Sequence, residues 1–302
     1  FNRWEAAQRL MLDAMLKPCN VDLSSMISAF SRIAGDSALD HGYKALLLSL
    51  PSELYISEKV SVIDPGLIRS ARDQLREKLA AGMTGPLQRI DQELRAAATP
   101  YSPDPLSTGR RLLANLAQHY LALLGVLSAE ELLARFRSVS NMTDRMALLS
   151  TLLEFDGPST REALDRYFHE FQHHDLALDK WFAVQVTVPN DQALTHVRAL
   201  MQHPKFDVSN PNRVRSVFGA FFNQNLPGFH RQDGGGYLLW AEAVLTIDRR
   251  NSQLASRMAR ALDRWARFEP VRRAAMKAAL ERVAAEEQLS SDVREVVGKA
   301  LG

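Results

Sequence analysis

Apolar residues recur at spacings of three and four along almost the whole chain, and no segment sustains the period-two alternation of a half-buried strand. That periodicity confines the chain to an all-α fold. Trp4, Ala7, Leu10, Met11 and Ala14 trace one helical face that ends before Pro18. A second helix is predicted over residues 23–33 and a third over 37–48, after which Pro51 breaks the pattern. Asp64-Pro65 reads as a helix start, because aspartate can accept from first-turn amides and proline tolerates the first helical position. That helix is expected to run towards Ala98 with a kink or break at Gly82, Gly85 and Pro86, and residues 99–105 read as an exposed connector.

From Leu106 onward helices of about 12 to 18 residues are expected between short polar breaks. Asn141-Met-Thr-Asp144 and Ser159-Thr-Arg-Glu162 each place a capping side chain three residues before an acid, and Asn210-Pro211 repeats the Asx-Pro start. Helical pairs of about 35 to 45 residues fit stacked antiparallel hairpins, a superhelical α-solenoid of the armadillo or HEAT kind. No consensus repeat sequence is present, so an irregular helical bundle fits these lengths nearly as well.

The 302 residues are 46% hydrophobic, enough for a core without covalent staples. The single cysteine, Cys19, rules out an internal disulfide and favours a reducing cytoplasm. The chain opens on Phe1 with no basic leader and reads as an excised piece, one domain over residues 1–302. The longest apolar runs, such as Tyr120 to Leu124, fall far short of the roughly 20 residues that cross a bilayer, so no membrane partner is expected. A formal charge of +2, from 37 basic and 35 acidic side chains, implies no polyanion partner. Only between Arg249 and Arg282 do basic residues clearly outnumber acids; the plain reading is a solvated helix face, the alternative a helical-repeat scaffold that binds protein or nucleic acid.

His169-Glu170-Phe-Gln-His173 matches HExxH, in which two histidines one helical turn apart hold zinc and the glutamate activates its water. The match is read as chance. The position that would supply a glutamate ligand is Gln192, and the glycine and histidine of the three-histidine pattern are replaced by Leu176 and Asp179. Leu164, Tyr167, Phe168 and Phe171 form the apolar face, which puts His169 and His173 on the polar side with Glu162 and Arg166. The next glutamate after Glu170 is Glu242. Asp233-Gly-Gly-Gly-Tyr237 lacks the ending of a phosphate-binding loop and reads as a loop entering a helix. No serine sits in a nucleophile elbow, and no catalytic constellation is expected.

Several runs resemble the C-terminal helical domain of bacterial aminopeptidase N, a gluzincin zinc aminopeptidase. They are residues 1–8 (Phe-Asn-Arg-Trp-Glu-Ala-Ala-Gln), Asn141-Met-Thr-Asp144, Leu178-Asp-Lys-Trp-Phe182, His203-Pro-Lys-Phe206, residues 209–216, Asp233-Gly-Gly-Gly-Tyr237 and Ala255-Ser-Arg257. The resemblance implies a cone-like superhelix that caps an active site in a preceding catalytic domain of the same polypeptide. Zinc would sit in that parent domain and not in this segment, which would be inactive alone. It further implies that Arg215, Gln253 and Arg257 contact the peptide substrate beyond the scissile bond. Their helical phase puts them at the margins of core faces formed by Val214, Phe218 and Phe221 and by Leu254, Met258, Ala261 and Leu262.

Overall fold

Every helix leaves unpaired amides at its start, and this chain satisfies many of them with side chains. Asp22 accepts from the amides of Ser24 and Ser25, Asp40 from Tyr43, Asp104 from Ser107 and Ser290 from Val293. Ser128 and Glu131 form a reciprocal capping box. These starts fix the helices in a computed structural model that describes residues 2–96, 100–188 and 192–302. Phe1 and residues 97–99, which the sequence reading assigned to its first run, its long helix and its connector, lie outside the described residues.

The chain gathers into two compact units, residues 1–56 with 67–166, and residues 57–66 with 167–302. Through the first run α1 (Asn2–Leu16), α2 (Leu23–Gly35), α3 (His41–Leu48), α4 (Glu53–Glu58), α5 (Pro65–Gly82), α6 (Thr84–Ala96), α7 (Pro105–Leu123), α8 (Ala129–Ser138), α9 (Met142–Leu152) and α10 (Pro158–Phe171). The α7 helix is the centre of this unit, against α3, α6 and α9. At its start the α3 and α7 backbones touch: a Cβ on Gly109 would lie 2.6 Å from the Gly42 amide nitrogen. Further along, the Tyr120 hydroxyl donates to the Leu48 carbonyl at 3.0 Å. Met11, Leu47, Leu113, Leu132 and Leu148 are buried in the core of this unit.

The second unit holds α11 (Asp175–Thr187), α12 (Ala193–Met201), α13 (Pro211–Val214), a π turn (Arg215–Gly219), α14 (Ala220–Gln224), α15 (Leu226–Phe229), α16 (Gly235–Asp248), α17 (Ser252–Ala259), α18 (Pro270–Ala284) and α19 (Ser291–Leu301). Phe182, Phe206, Phe218, Phe222, Phe229 and Tyr237 form a continuous aromatic chain, with successive ring centroids 4.8 to 6.3 Å apart. The α16 start explains the triple glycine. Gly234 caps the helix at φ 71°, and a Cβ on Gly236 would lie 1.9 Å from the Phe229 carbonyl oxygen, so the sequence is indeed a loop entering a helix. Among the described residues no strand forms; the one extended pairing is an isolated bridge between Ile63 and Phe268.

The all-α reading therefore holds, and the break expected near Gly82 falls between α5 and α6. Several boundaries differ. The third helix starts at His41, because Asp40 caps it, and not at residue 37. Helix lengths after Leu106 range from 19 residues in α7 to four in α13 and α15, since prolines and glycines divide the second unit more finely than the spacing shows. Ser159 is no cap: α10 begins at Pro158, the Thr160 hydroxyl donates to the Leu152 and Phe155 carbonyls, and Glu162 accepts from Arg137 instead. No described helix is long and apolar enough to cross a membrane.

Candidate functional site

The stretch that carries Arg215 is built from its cap outward. Asn210 accepts from the amides of Asn212 and Arg213 at 3.0 and 3.3 Å, and Pro211 occupies the first helical position. This phase turns Arg213 inward, where it is 3% exposed. Its Nη1 donates to Asp179 at 2.6 Å, Asp175 lies at 3.7 Å, and the guanidinium stands 5.0 Å over the Phe182 ring. One residue past Val214 the helix widens into the π turn, Arg215–Gly219, in place of the continuous α-helix expected from the spacing. The expected core residues Val214, Phe218 and Phe221 are buried. Arg215 is exposed, and its Nη1 donates to Asn212 Oδ1 at 2.9 Å.

Gln253 and Arg257 stand one turn apart on α17, whose start is capped by Asn251 through the Leu254 amide. Both are exposed, while Leu254, Ala255, Met258 and Ala259 face the core and Trp240 Nε1 donates to the Met258 carbonyl at 3.0 Å. The Arg257 side chain makes no hydrogen bond or ion pair with another described residue. Ala261, expected in the same core face, is only half-buried, because the helix tightens into a 3₁₀ turn at Arg260–Leu262 and loses the α phase. A Cβ on Gly219 would meet the Arg215 Cβ at 3.6 Å and the Met258 Cε at 3.8 Å. The π turn thus borders α17 at Met258, and the two arginines come from neighbouring elements.

The HExxH match is not gathered into a site. The α10 helix ends at Phe171, so His173 lies in the following turn and not one helical turn beyond His169, and the sequence reading that aligned both on one helix face is corrected. His169, Glu170 and His173 are all exposed. Among the described residues no group of three or more His, Cys, Asp or Glu side chains is placed to hold a metal ion. Part of the basic stretch from Arg249 to Arg282 is engaged within the chain: Arg272 is buried against Asp64 and Glu269, and the more exposed Arg264, Arg260 and Lys277 face Glu58, Asp263 and Glu281.

Sequence reasoning missed Arg213 and the π turn. The available signal was the pair Asp175 and Asp179, two acids one turn apart on a helix with no basic partner of its own at that spacing. It also missed His230, 3% exposed, whose Nδ1 lies 3.1 Å from the Tyr237 hydroxyl and whose ring lies 4.4 Å from Phe268. Burial, and then the charges of Arg272 and Arg264, hold this imidazole down to about 3.

Comparison with known proteins covers the whole chain. A family model described as a domain of unknown function (DUF3458_C), ARM repeats, matches residues 1–302. The chain is 37% identical over 310 residues to the aminopeptidase N of Caulobacter vibrioides, 34% over 310 to that of Escherichia coli and 32% over 309 to that of Haemophilus influenzae. Each alignment takes in 100% of this chain but only 35 to 36% of the relative, so the chain spans about a third of their length. Among solved structures, Legionella pneumophila aminopeptidase A in complex with aspartic acid superposes with a TM-score of 0.92 at 26% identity, over 100% of this chain and 37% of that one.

Proposed function

The chain belongs to the DUF3458_C family of ARM-repeat domains, and from that membership we propose that it is the non-catalytic C-terminal domain of a zinc-dependent aminopeptidase. The observation that carries this reading is end-to-end similarity to three aminopeptidases N that are each nearly three times as long. The parent's catalytic domain, in the same polypeptide, supplies the zinc and cleaves the N-terminal residue of a peptide. This domain covers that site, bounds the space a peptide enters and excludes bulk water, which strengthens the electrostatic attraction between site and substrate. A cytoplasmic setting accords with one free, exposed cysteine, Cys19.

Arg215, Gln253 and Arg257 are the substrate contacts in this reading. What supports them is exposure on neighbouring elements, anchored beneath by buried neighbours, with the Arg257 side chain paired to no described residue. A guanidinium so placed can pair with a peptide carboxylate or donate to its carbonyls through a planar fork. The test is direct. Supplied with zinc, the 302-residue chain alone should release no product from amino-acid chromogenic amides, whereas a protein carrying the preceding domain should. Chelator-sensitive hydrolysis by the isolated chain would overturn the assignment.

A further inference from the structure

We propose that the cavity between α2, α3 and α6 binds a small free α-amino acid, its carboxylate taken by Lys44 and Arg89 and its ammonium by Glu93. The cavity has a volume of about 330 Å³, at the lower end of the roughly 300–1,000 Å³ range of small-molecule sites. It lies wholly in the first unit, so it does not rest on the contacts proposed for Arg215, Gln253 and Arg257 in the second.

Lys44 carries the argument. It is 7% exposed and lines the cavity, and among the described residues its Nζ has one acceptor, the Ala34 carbonyl in the last turn of α2, at 3.3 Å. An ammonium has three donors. Of the four buried cations among the described residues, the other three each face a carboxylate: Arg76 faces Asp73 at 3.0 Å, Arg213 faces Asp179 at 2.6 Å and Arg272 faces Glu269 at 3.0 Å. Lys44 forms no ion pair with a described carboxylate, and the end of α2 offers it only the partial charge of a helix terminus. A buried cation without a counterion is costly to keep, and the cavity that Lys44 lines is the space in which an anion can meet it.

The rest of the lining suits the rest of an amino acid. Arg89 and Glu93 stand one turn apart on α6, both exposed, and no ion pair joins them to each other or to another described residue. Charges of both signs that line one small cavity without pairing complement a zwitterion, whereas a purely anionic ligand would be opposed by Glu93. His41, half-buried one turn before Lys44, is held below its usual range by burial and then by Lys44 and Arg110, so at neutral pH it adds hydrogen-bonding capacity and no charge. Leu39 and Ile90 supply an apolar wall for an aliphatic side chain.

The experiment is calorimetric titration of the 302-residue chain at neutral pH and fixed ionic strength with L-leucine, with L-leucinamide, which lacks the carboxylate, and with 4-methylpentanoate, which lacks the ammonium. Saturable binding of leucine is expected, with each analogue bound about ten-fold more weakly or worse. Leucine binding should weaken about ten-fold or more in Lys44→Met, which keeps a buried apolar stem and removes the charge, and should weaken in Glu93→Gln, which leaves 4-methylpentanoate binding unchanged. If Lys44→Met loses its melting transition, Arg89→Ala, at an exposed position, is read by the same criterion. No saturable binding of leucine, an analogue bound as tightly as leucine, or undiminished leucine affinity in the cavity variants would overturn the proposal.

Discussion

Arg213 and Arg215 stand two residues apart and serve opposite ends. Arg213 is buried against Asp179, so Arg213→Ala removes one partner of a largely buried pair and leaves a carboxylate that is 15% exposed without its cation. A loss of about 3 kcal/mol in unfolding free energy is expected from chemical denaturation. Asn225, 1% exposed, donates to the Val186 and Val188 carbonyls at 2.9 and 3.0 Å and accepts from the Gly228 amide at 3.0 Å. His230, held down to about 3, and His119 of the first unit, pushed by burial and by Arg76, Arg72 and Arg69 down to about 4, stay neutral when folded but protonate near 6.5 when unfolded. The unfolded chain then binds more protons below about pH 6.5, so stability is fully present above that value and falls as pH drops towards 4, by up to about 1.4 kcal/mol per pH unit for each histidine. Urea unfolding between pH 7.5 and 4.5 checks this, and His230→Gln should flatten the slope of the second unit.

At the scale of elements, two close backbone approaches fix the architecture. Gly236→Ala would drive a methyl into the Phe229 carbonyl and Gly109→Ala a methyl into the Gly42 backbone. Both contacts are with backbone, which cannot swing aside, so each change should cost about 1–3 kcal/mol or more, with Gly236→Ala the worse of the two by thermal melting. The glycine run before Tyr237 was legible in the sequence as a loop entering a helix, and Asn141 and Asn210 as helix starts, but the close approach at Gly236 was not. Gly109 gave no such sign, because its partner lies across the α3–α7 crossing and no local rule identifies it. The π turn was invisible for the same reason: one extra residue is absorbed where the chain meets α11 and α12, and its apolar spacing still reads as an ordinary helix. Arg213 escaped because sequence phase separates apolar from polar residues but not a buried arginine from an exposed one. His173 was misplaced on a helix that had already ended at Phe171.

For the whole molecule, the all-helical ARM-repeat chain matches about a third of longer aminopeptidases N, and the proposed role has Arg215, Gln253 and Arg257 meet a peptide beyond its scissile bond. An interaction that only a longer substrate can make lowers its Michaelis constant and leaves shorter substrates untouched. The most direct measurement is therefore the steady-state kinetics of Arg257→Ala in the full-length enzyme, on a series of peptides and on small chromogenic amides that lack a residue after the scissile bond. The account predicts a rise of about ten-fold in KM for the peptides, the worth of roughly one charge-assisted hydrogen bond, with little change for the amides. Equal effects on the two substrate types would contradict it.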